Sequence, residues 1–251
     1  MSHKFIAASA VWMLLAGCAA APALEGGAPD STVDDGAQPA GDAADPLESI
    51  NRVTYRFNDT LDHWVLRPVA KSYQAVTPRP LRKGVSNFFD NLLTPIDIAN
   101  SLLQAKFAAA LSETGRLLLN STLGIGGIFD PATDAGLDEH DEDFGQTLAV
   151  WGVPAGPYLV LPLLGPSTMR DAPALYADVQ LAPLTHYDNS SVRDKLLVLY
   201  GINTRERLLA TDRAVRNALD PYVFVREAYL QNRTYVIHDG NPPLEDVYGD
   251  Y

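Results

Sequence analysis

The sequence predicts a mainly α-helical protein, with one helical domain over residues 45–238 preceded by a signal peptide and a flexible tether. Three observations carry that expectation. Apolar residues recur at helical spacing over residues 47–65 and again after residue 106. Helix-start patterns, Asp45-Pro46, Thr168-Met169-Arg170-Asp171 and Asp220-Pro221, precede several of the predicted helices. Alternating apolar and polar runs, the mark of half-buried strands, are scarce.

The elements follow in order. Lys4 and the apolar run "FIAASAVWMLLA" have the form of a signal peptide, too short for a membrane span. The run closes on Leu15-Ala16-Gly17-Cys18, which resembles the lipobox of bacterial lipoproteins. That resemblance implies cleavage of residues 1–17 and acylation of Cys18. The three acyl chains that lipoproteins carry exceed the two anchors needed for stable attachment. Ala19 follows, rather than the Asp that favours inner-membrane retention, so the expected site is the inner leaflet of a Gram-negative outer membrane. Cys18 is the sole cysteine, which excludes an internal disulfide and a cysteine-cluster zinc site. Residues 18–44 are rich in Ala, Gly, Pro and Asp, and bury too little to offset their ordering entropy. They read as a tether, and residues 239–251 as a disordered tail.

Within the domain, Asp45-Pro46-Leu47-Glu48 offers an N-cap Asp, a first-turn Pro and a reciprocal Glu. Leu47, Ile50, Val53, Phe57, Leu61, Trp64 and Val65 then fall in an arc of about 120°. That stripe faces either a core or a bilayer interface. Pro68 is expected to bend or end the helix. Further helices are expected over 80–92, 95–104 and 106–120, the last with Phe107, Leu111 and Leu118 on one face and Gly115 allowing close approach. A short helix fits Phe144–Trp151. Another runs from the Thr168 cap to Val179. Residues 191–217 give one or two helices, broken near Gly201-Ile202-Asn203. The last opens at Asp220-Pro221, with Tyr222, Val225 and Tyr229 sharing a face. "YLVL" at 158–161 can pair as a strand, but no partner run is evident.

Chemistry is sparse. There is no G-x-S-x-G elbow, no H-E-x-x-H, and Gly124-Ile125-Gly126-Gly127 lacks the Lys and spacing of a phosphate loop. Those glycines read as a turn or a close helix approach. The acidic run Asp138–Asp143 lacks the alternating ligands of a calcium loop and reads as a solvated loop. A net charge of −12 with no basic run argues against nucleic acid as a partner and makes any lipid recognition an apolar matter. The stretch "GPYLVLPLLGPST" at 156–168 is apolar yet broken by Pro157, Pro162 and Pro166. It is too short and too broken for a span. Two readings stand: a turn whose leucines fill a core, or a hairpin presented to lipid.

Several of these segments together resemble one family. "DPLESINRVTYRFNDTLD" at 45–62 is similar to the opening of MlaA/VacJ-type outer-membrane lipoproteins. "VSNFFDNLLTP", "LLNSTLGIGGIFDPA", "EDFGQTLAVWGVPAGPYLVLPLLGPSTMRD" and "DPYVFVREAYLQ" continue the likeness in order across the domain. The resemblance implies a doughnut-shaped helical domain with a central amphipathic channel, sunk in the inner leaflet of the outer membrane. Phospholipid mislocalised in the outer leaflet would leave through it, preserving lipid asymmetry. The lipid would pass to a periplasmic carrier, MlaC, and on to an inner-membrane transporter complex, and a trimeric porin would be a partner. Residues 152–158 correspond to the family's channel-side hairpin, with Pro154 where Gly is common. The expected site is therefore Gly152, Pro154, Gly156, Pro157, Tyr158, Leu159, Leu161, Leu163 and Leu164, beside the lipidated Cys18. No catalytic residue, cofactor or metal is expected. The rival readings are a porin scaffold that moves no lipid and a phospholipase using Ser167 or Ser191.

Overall fold

The computed structural model describes residues 45–243. The signal peptide, Cys18, the tether and the tail from residue 244 lie outside the described residues.

Helix α1 spans Glu48–Leu61. Its start is tied by Asp45, whose Oδ1 accepts from the Leu47 amide at 3.1 Å and from Asn51 Nδ2 at 3.0 Å. Glu48 does not close the expected capping box, because its carboxylate turns instead to Arg52 at 2.6 Å. The helix does not end near Pro68. A π turn, Asp62–Leu66, leads straight into α2, Arg67–Val76, with Pro68 in the first turn. The wider π turn absorbs the proline, whose ring would otherwise meet a carbonyl one turn back. Helix α3, Arg79–Leu103, likewise runs through Pro95 and merges the two helices expected over 80–92 and 95–104. Helix α4, Phe107–Thr122, folds back along α3 after a tight turn at Ala105, φ 60°.

The glycine segment after α4 combines a turn with a close helix approach. Gly126 and Gly127 have positive φ, and a Cβ at Gly127 would collide with the side chain of Asn91 on α3. Gly115 also packs closely, against Leu137. A short α5, Pro131–Asp134, is followed by α6, Phe144–Val150. Then come β1, Tyr158–Leu161, and β2, Gly165–Thr168, which pair antiparallel with Tyr158 opposite Thr168 and Leu161 opposite Gly165. The partner of "YLVL" is thus "GPST", a run without strand character of its own.

Helix α7 covers Asp171–Leu181, and a 3₁₀ turn follows at Pro183–His186. Thr168 Oγ1 accepts from the Asp171 amide at 3.1 Å, half of the expected capping box. Helix α8, Ser190–Arg207, is unbroken at Gly201-Ile202-Asn203. The interruption falls later, in the 3₁₀ turn Leu208–Ala210 before α9, Asp212–Asn217. Asn203 explains the continuity. Buried in α8, its amide donates to Ser86 Oγ of α3 at 2.9 Å, and its Oδ1 accepts from Tyr73 of α2. Helix α10, Pro221–Ile237, opens on Asp220, whose carboxylate accepts from the Tyr222 and Val223 amides. The buried residues of that helix are Tyr222 and Arg226.

Apolar burial is modest and split. One cluster joins Ile96, Val179, Leu184 and Leu197 from α3, α7, the 3₁₀ turn and α8. The other joins Tyr158, Val160 and Tyr222, from the hairpin and α10. Among the described residues, buried polar and charged side chains outnumber buried apolar ones, while large apolar side chains are exposed along several helices. The usual partition of a water-soluble domain is inverted.

Candidate functional site: the hairpin and the polar cleft beside it

The hairpin is held from outside its sheet. Strand β1 has β2 on one edge. Its other edge meets α1, and two asparagines of α1 take the place of a third strand. Asn51 Oδ1 accepts from the Val160 amide and its Nδ2 donates to the Tyr158 carbonyl, both at 2.9 Å. Asn58 repeats the pattern, accepting from the Leu163 amide at 2.8 Å and donating to the Leu161 carbonyl at 2.9 Å. Seven helical residues rise about 10.5 Å, and three strand residues advance about 10 Å. The two spacings match, so one helix face satisfies a strand edge.

Each expected site residue has a definite place. Gly152 follows α6 with φ 86°, and the Gly152 and Val153 amides bond back to Ala149 and Leu148, the left-handed helix ending for which Gly has no steric penalty. Gly152, Pro154 and Gly156 are exposed, and Pro157 is half-buried. Gly156, φ 67°, lets the chain pass against Met169. Pairing continues below the strands, with Met169 donating to the Pro157 carbonyl and Arg170 to the Ala155 carbonyl. Residues 155–170 therefore form one arm. Tyr158 points inward and is 2% exposed, packed among Tyr222 and Tyr229. Leu159, Leu161, Leu163 and Leu164 are half-buried, with Leu163 at the tip in the left-handed region, φ 67°. Neither reading of the stretch is complete: alternate residues of β1 fill a core, and the leucines line its margins.

Beside the arm is a narrow cleft of about 30 Å³, room for a water or two. Apolar Leu164, Pro166 and Leu175 line it together with Asp171, Asp178 and Arg233. Arg233 of α10 forms a bidentate pair with Asp143, at 2.5 and 2.7 Å, and a second with Asp171, at 3.0 and 3.2 Å. Tyr229 donates to Asp171 at 3.0 Å, and Arg170 pairs with the same carboxylate at 2.8 Å. Gly145 leaves the space that Arg233 and Asp171 occupy, since a Cβ there would collide with both. Burial would raise Asp143 and Asp171, but Arg233 holds both below the usual carboxylate range. Asp178 has no such counter-ion contact among the described residues. It accepts from the Phe144 amide and from Asn100, and burial, with Asp143 nearby, pushes it up to about 7.

The sequence reading placed Asp143 in a solvated loop and Asp171 in a helix cap, and it overlooked Arg170, Asp178 and Arg233. The reading of Asp138–Asp143 as a wholly solvated loop is corrected. Glu142 is buried, paired with Lys106 at 2.8 Å and accepting from Gln104. One signal for the cluster was available: Tyr222, Arg226, Tyr229 and Arg233 recur at helical spacing on α10. Among the described residues, no group of three or more His, Cys, Asp or Glu side chains is arranged to hold a metal ion. Ser167 is buried in β2, where its hydroxyl faces the Thr168 carbonyl.

Outside, the polarity is reversed. The stripe of α1 and the π turn after it, Ile50, Val53, Phe57 and Trp64, points away from the domain, with Trp64 75% exposed. Phe107, Leu111 and Leu118 of α4 do the same, Leu111 at 74%. Trp151, Val153 and Met169 expose apolar surface at the base of the arm. No helix among the described residues is long and apolar enough to cross a membrane. An apolar surface around a charged interior defines a class, a helical domain whose outer faces suit contact with lipid.

The family profile of the MlaA lipoprotein matches residues 43–236. The intermembrane phospholipid transport system lipoprotein MlaA of Shigella flexneri is 36% identical over 217 residues, 82% of this chain and 86% of that one. Its Haemophilus influenzae namesake is 32% identical over 204 residues, 78% and 80% of the two chains. An uncharacterized protein of Rickettsia typhi is 37% identical over 191 residues, 75% and 76% of the two chains. A solved structure described as the "Structural basis for maintenance of bacterial outer membrane lipid asymmetry" is 38% identical. It superposes with a TM-score of 0.68 over 77% of this chain and 98% of the other. The chain belongs to the MlaA lipoprotein family.

Proposed function

We propose that this protein draws mislocalised phospholipid out of the outer leaflet of the outer membrane and so maintains lipid asymmetry. The observation that carries the reading is the inverted partition, with apolar faces of α1 and α4 outside and the Asp143–Arg233–Asp171 cluster inside. The outer faces suit acyl chains, and the charged interior beside the arm supplies the polar side of the path, through a cleft of about 30 Å³ that admits water rather than a whole headgroup. A lipid tail exposed to water loses about 0.8 kcal/mol per CH₂. A protein that shields tails and offers the headgroup a polar path lowers the barrier without covalent chemistry. In this reading Cys18 is acylated and tethers the domain to the inner leaflet. The segment 152–164, which leads into the arm and forms its first strand and tip, borders the lipid path, and its half-buried leucines contact the tails. A trimeric porin is the lateral partner. The periplasmic carrier MlaC receives the lipid and feeds an inner-membrane transporter complex.

The test is outer-leaflet phospholipid in a strain lacking the protein. A rise, reversed by the wild-type gene, supports the reading. An unchanged outer leaflet, with porin level or assembly altered instead, would favour a scaffold.

A further inference from the structure

The turn that follows α4 carries apolar side chains where a turn in water would carry polar ones. Leu123, Ile125 and Phe129 are 70%, 65% and 58% exposed. No charged residue occurs from Leu117 to Phe129. The turn follows directly on α4, whose Leu111 and Leu118 are also exposed. Ile125 has φ 54°, in the left-handed region, where a β-branched residue is a steric outlier. In water that position would suit Gly or Asn. Strain kept at an exposed Ile points to a use for its side chain.

The backbone of the turn is closed on itself. The Leu123 and Gly124 amides donate to the Leu119 carbonyl at 2.8 and 3.1 Å. Gly126 donates to Ser121 at 3.1 Å, Gly127 to Asn120 at 2.8 Å and Phe129 to Gly124 at 2.9 Å. Asn87 of α3 donates to the Ile128 carbonyl at 3.1 Å. At the base, Arg116 and Asn120 both meet Asp130, at 3.4 and 3.0 Å. Irregular backbone can approach hydrocarbon only where protein satisfies its polar groups, and this turn meets most of that demand internally. It offers a polar partner no charge and few free amides, and acyl chains need neither. We propose that Leu123–Phe129 is an interfacial membrane anchor, whose side chains enter the boundary between headgroups and acyl chains. Burial of Ile125 in lipid offsets its strain. The anchor is a second point of attachment, far along the chain from Cys18, and it fixes which end of α4 meets the bilayer. The proposal rests on the lipid-contact reading above and names the part of the surface that enters the membrane.

Fluorescence tests it on the full-length acylated protein carrying Leu123→Trp, in phosphatidylethanolamine–phosphatidylglycerol vesicles doped with brominated phosphatidylcholine. Leu123 is exposed with φ −78°, so the larger ring fits there. The protein without the substitution supplies the signal of its own tryptophans. The added emission should be quenched most by bromine near the glycerol end of the chains, less by bromine near the chain ends, and hardly by iodide in the water. Ile125→Asn, added to this reporter, removes the apolar side chain and relieves the strain, because Asn tolerates the left-handed region. Its melting temperature in detergent should not fall. The ratio of inserted to withdrawn turn should drop by about tenfold or more, the weight of one buried Ile. Quenching by iodide in place of bromine would overturn the proposal. So would shielding from both quenchers, the result expected if a second copy of the protein covers the turn. A lower melting temperature for Ile125→Asn with unchanged bromine quenching would also overturn it, by making Ile125 a packing residue. Failure of the transport reading shows separately, as an unchanged outer leaflet in the deletion strain.

Discussion

Asn58 on α1 holds the tip of the arm by both ends of its amide, accepting from the Leu163 amide at 2.8 Å while donating to the Leu161 carbonyl at 2.9 Å. Leu163 has φ 67°, a conformation that bulky L residues resist. Asn58 therefore stabilises a turn that its own residues do not favour. Asn58→Ala should leave the Leu163 amide without its side-chain acceptor, a loss of about 1–3 kcal/mol where the group is buried. Asn51 still ties the base of β1, so the domain should stay folded. Hydrogen exchange should accelerate at residues 161–164 and stay slow at Val160. Acceleration through the whole of β1 would show that the tip is not an independent unit.

Gly152 makes a second control point, at the base of the arm. Its φ is 86° and the space around it is open. Strain rather than collision therefore sets the effect of substitution. Gly152→Val should destabilise by about 1–2 kcal/mol, the penalty for a side chain in the left-handed region. Gly152→Asn should lose less, because Asn tolerates that region. If arm posture matters, outer-leaflet phospholipid should follow the order wild type, Asn, Val. Identical lipid in all three would detach the arm's posture from function.

Position along the arm decides what a charge does. Val160 is buried with Tyr158 and Tyr222, so Val160→Arg should strand a guanidinium in a packed site. That loss is several kcal/mol, of the order of a typical domain's whole stability of about 5–15 kcal/mol. The protein should be degraded. Leu164 lines the cleft that holds Asp171 and Asp178. Leu164→Arg can reach those carboxylates or water, so the protein should accumulate while lipid movement is impaired. Immunoblots and outer-leaflet lipid for both variants decide it. Loss of both proteins would make the leucine side a core.

Asp178 should leave a pH signature. Its folded pKa, raised to about 7 by burial, exceeds the unfolded value of about 3.9. A carboxyl raised on folding holds its proton more tightly in the native state. Its contribution to stability is complete below about pH 4 and is lost as pH climbs through about 7. Asp178→Asn keeps an acceptor for the Phe144 amide and has no charge to bury. Its melting temperature relative to wild type should rise between about pH 5 and pH 8. A constant difference would show that Asp178 is ionised throughout.

The helical class and the faces of α1 and α4 were legible because helical periodicity survives whatever lies opposite. Which way they point was not, since a bilayer and a protein core demand the same stripe. Pro68 misled because a π turn tolerates a proline that an isolated helix rejects, and the gap expected between residues 92 and 95 is closed by one long packed helix that runs through Pro95. β2 was invisible because "GPST" has little strand propensity, and its pairing is imposed by the turn and by β1. The ion cluster joins Asp143, Asp171 and Arg233, which are far apart in the chain, and a single sequence carries no record of such proximity.

The account stands on phospholipid entering this domain from the outer leaflet. Outer-leaflet phospholipid should be quantified in a deletion strain carrying wild type, Leu164→Arg or no copy, with protein levels matched between the first two. The account predicts low phospholipid with wild type and a raised level in the other two. Leu164→Arg restoring the wild-type level would contradict the arm as a border of the lipid path. A deletion strain with an unchanged outer leaflet would contradict the function itself.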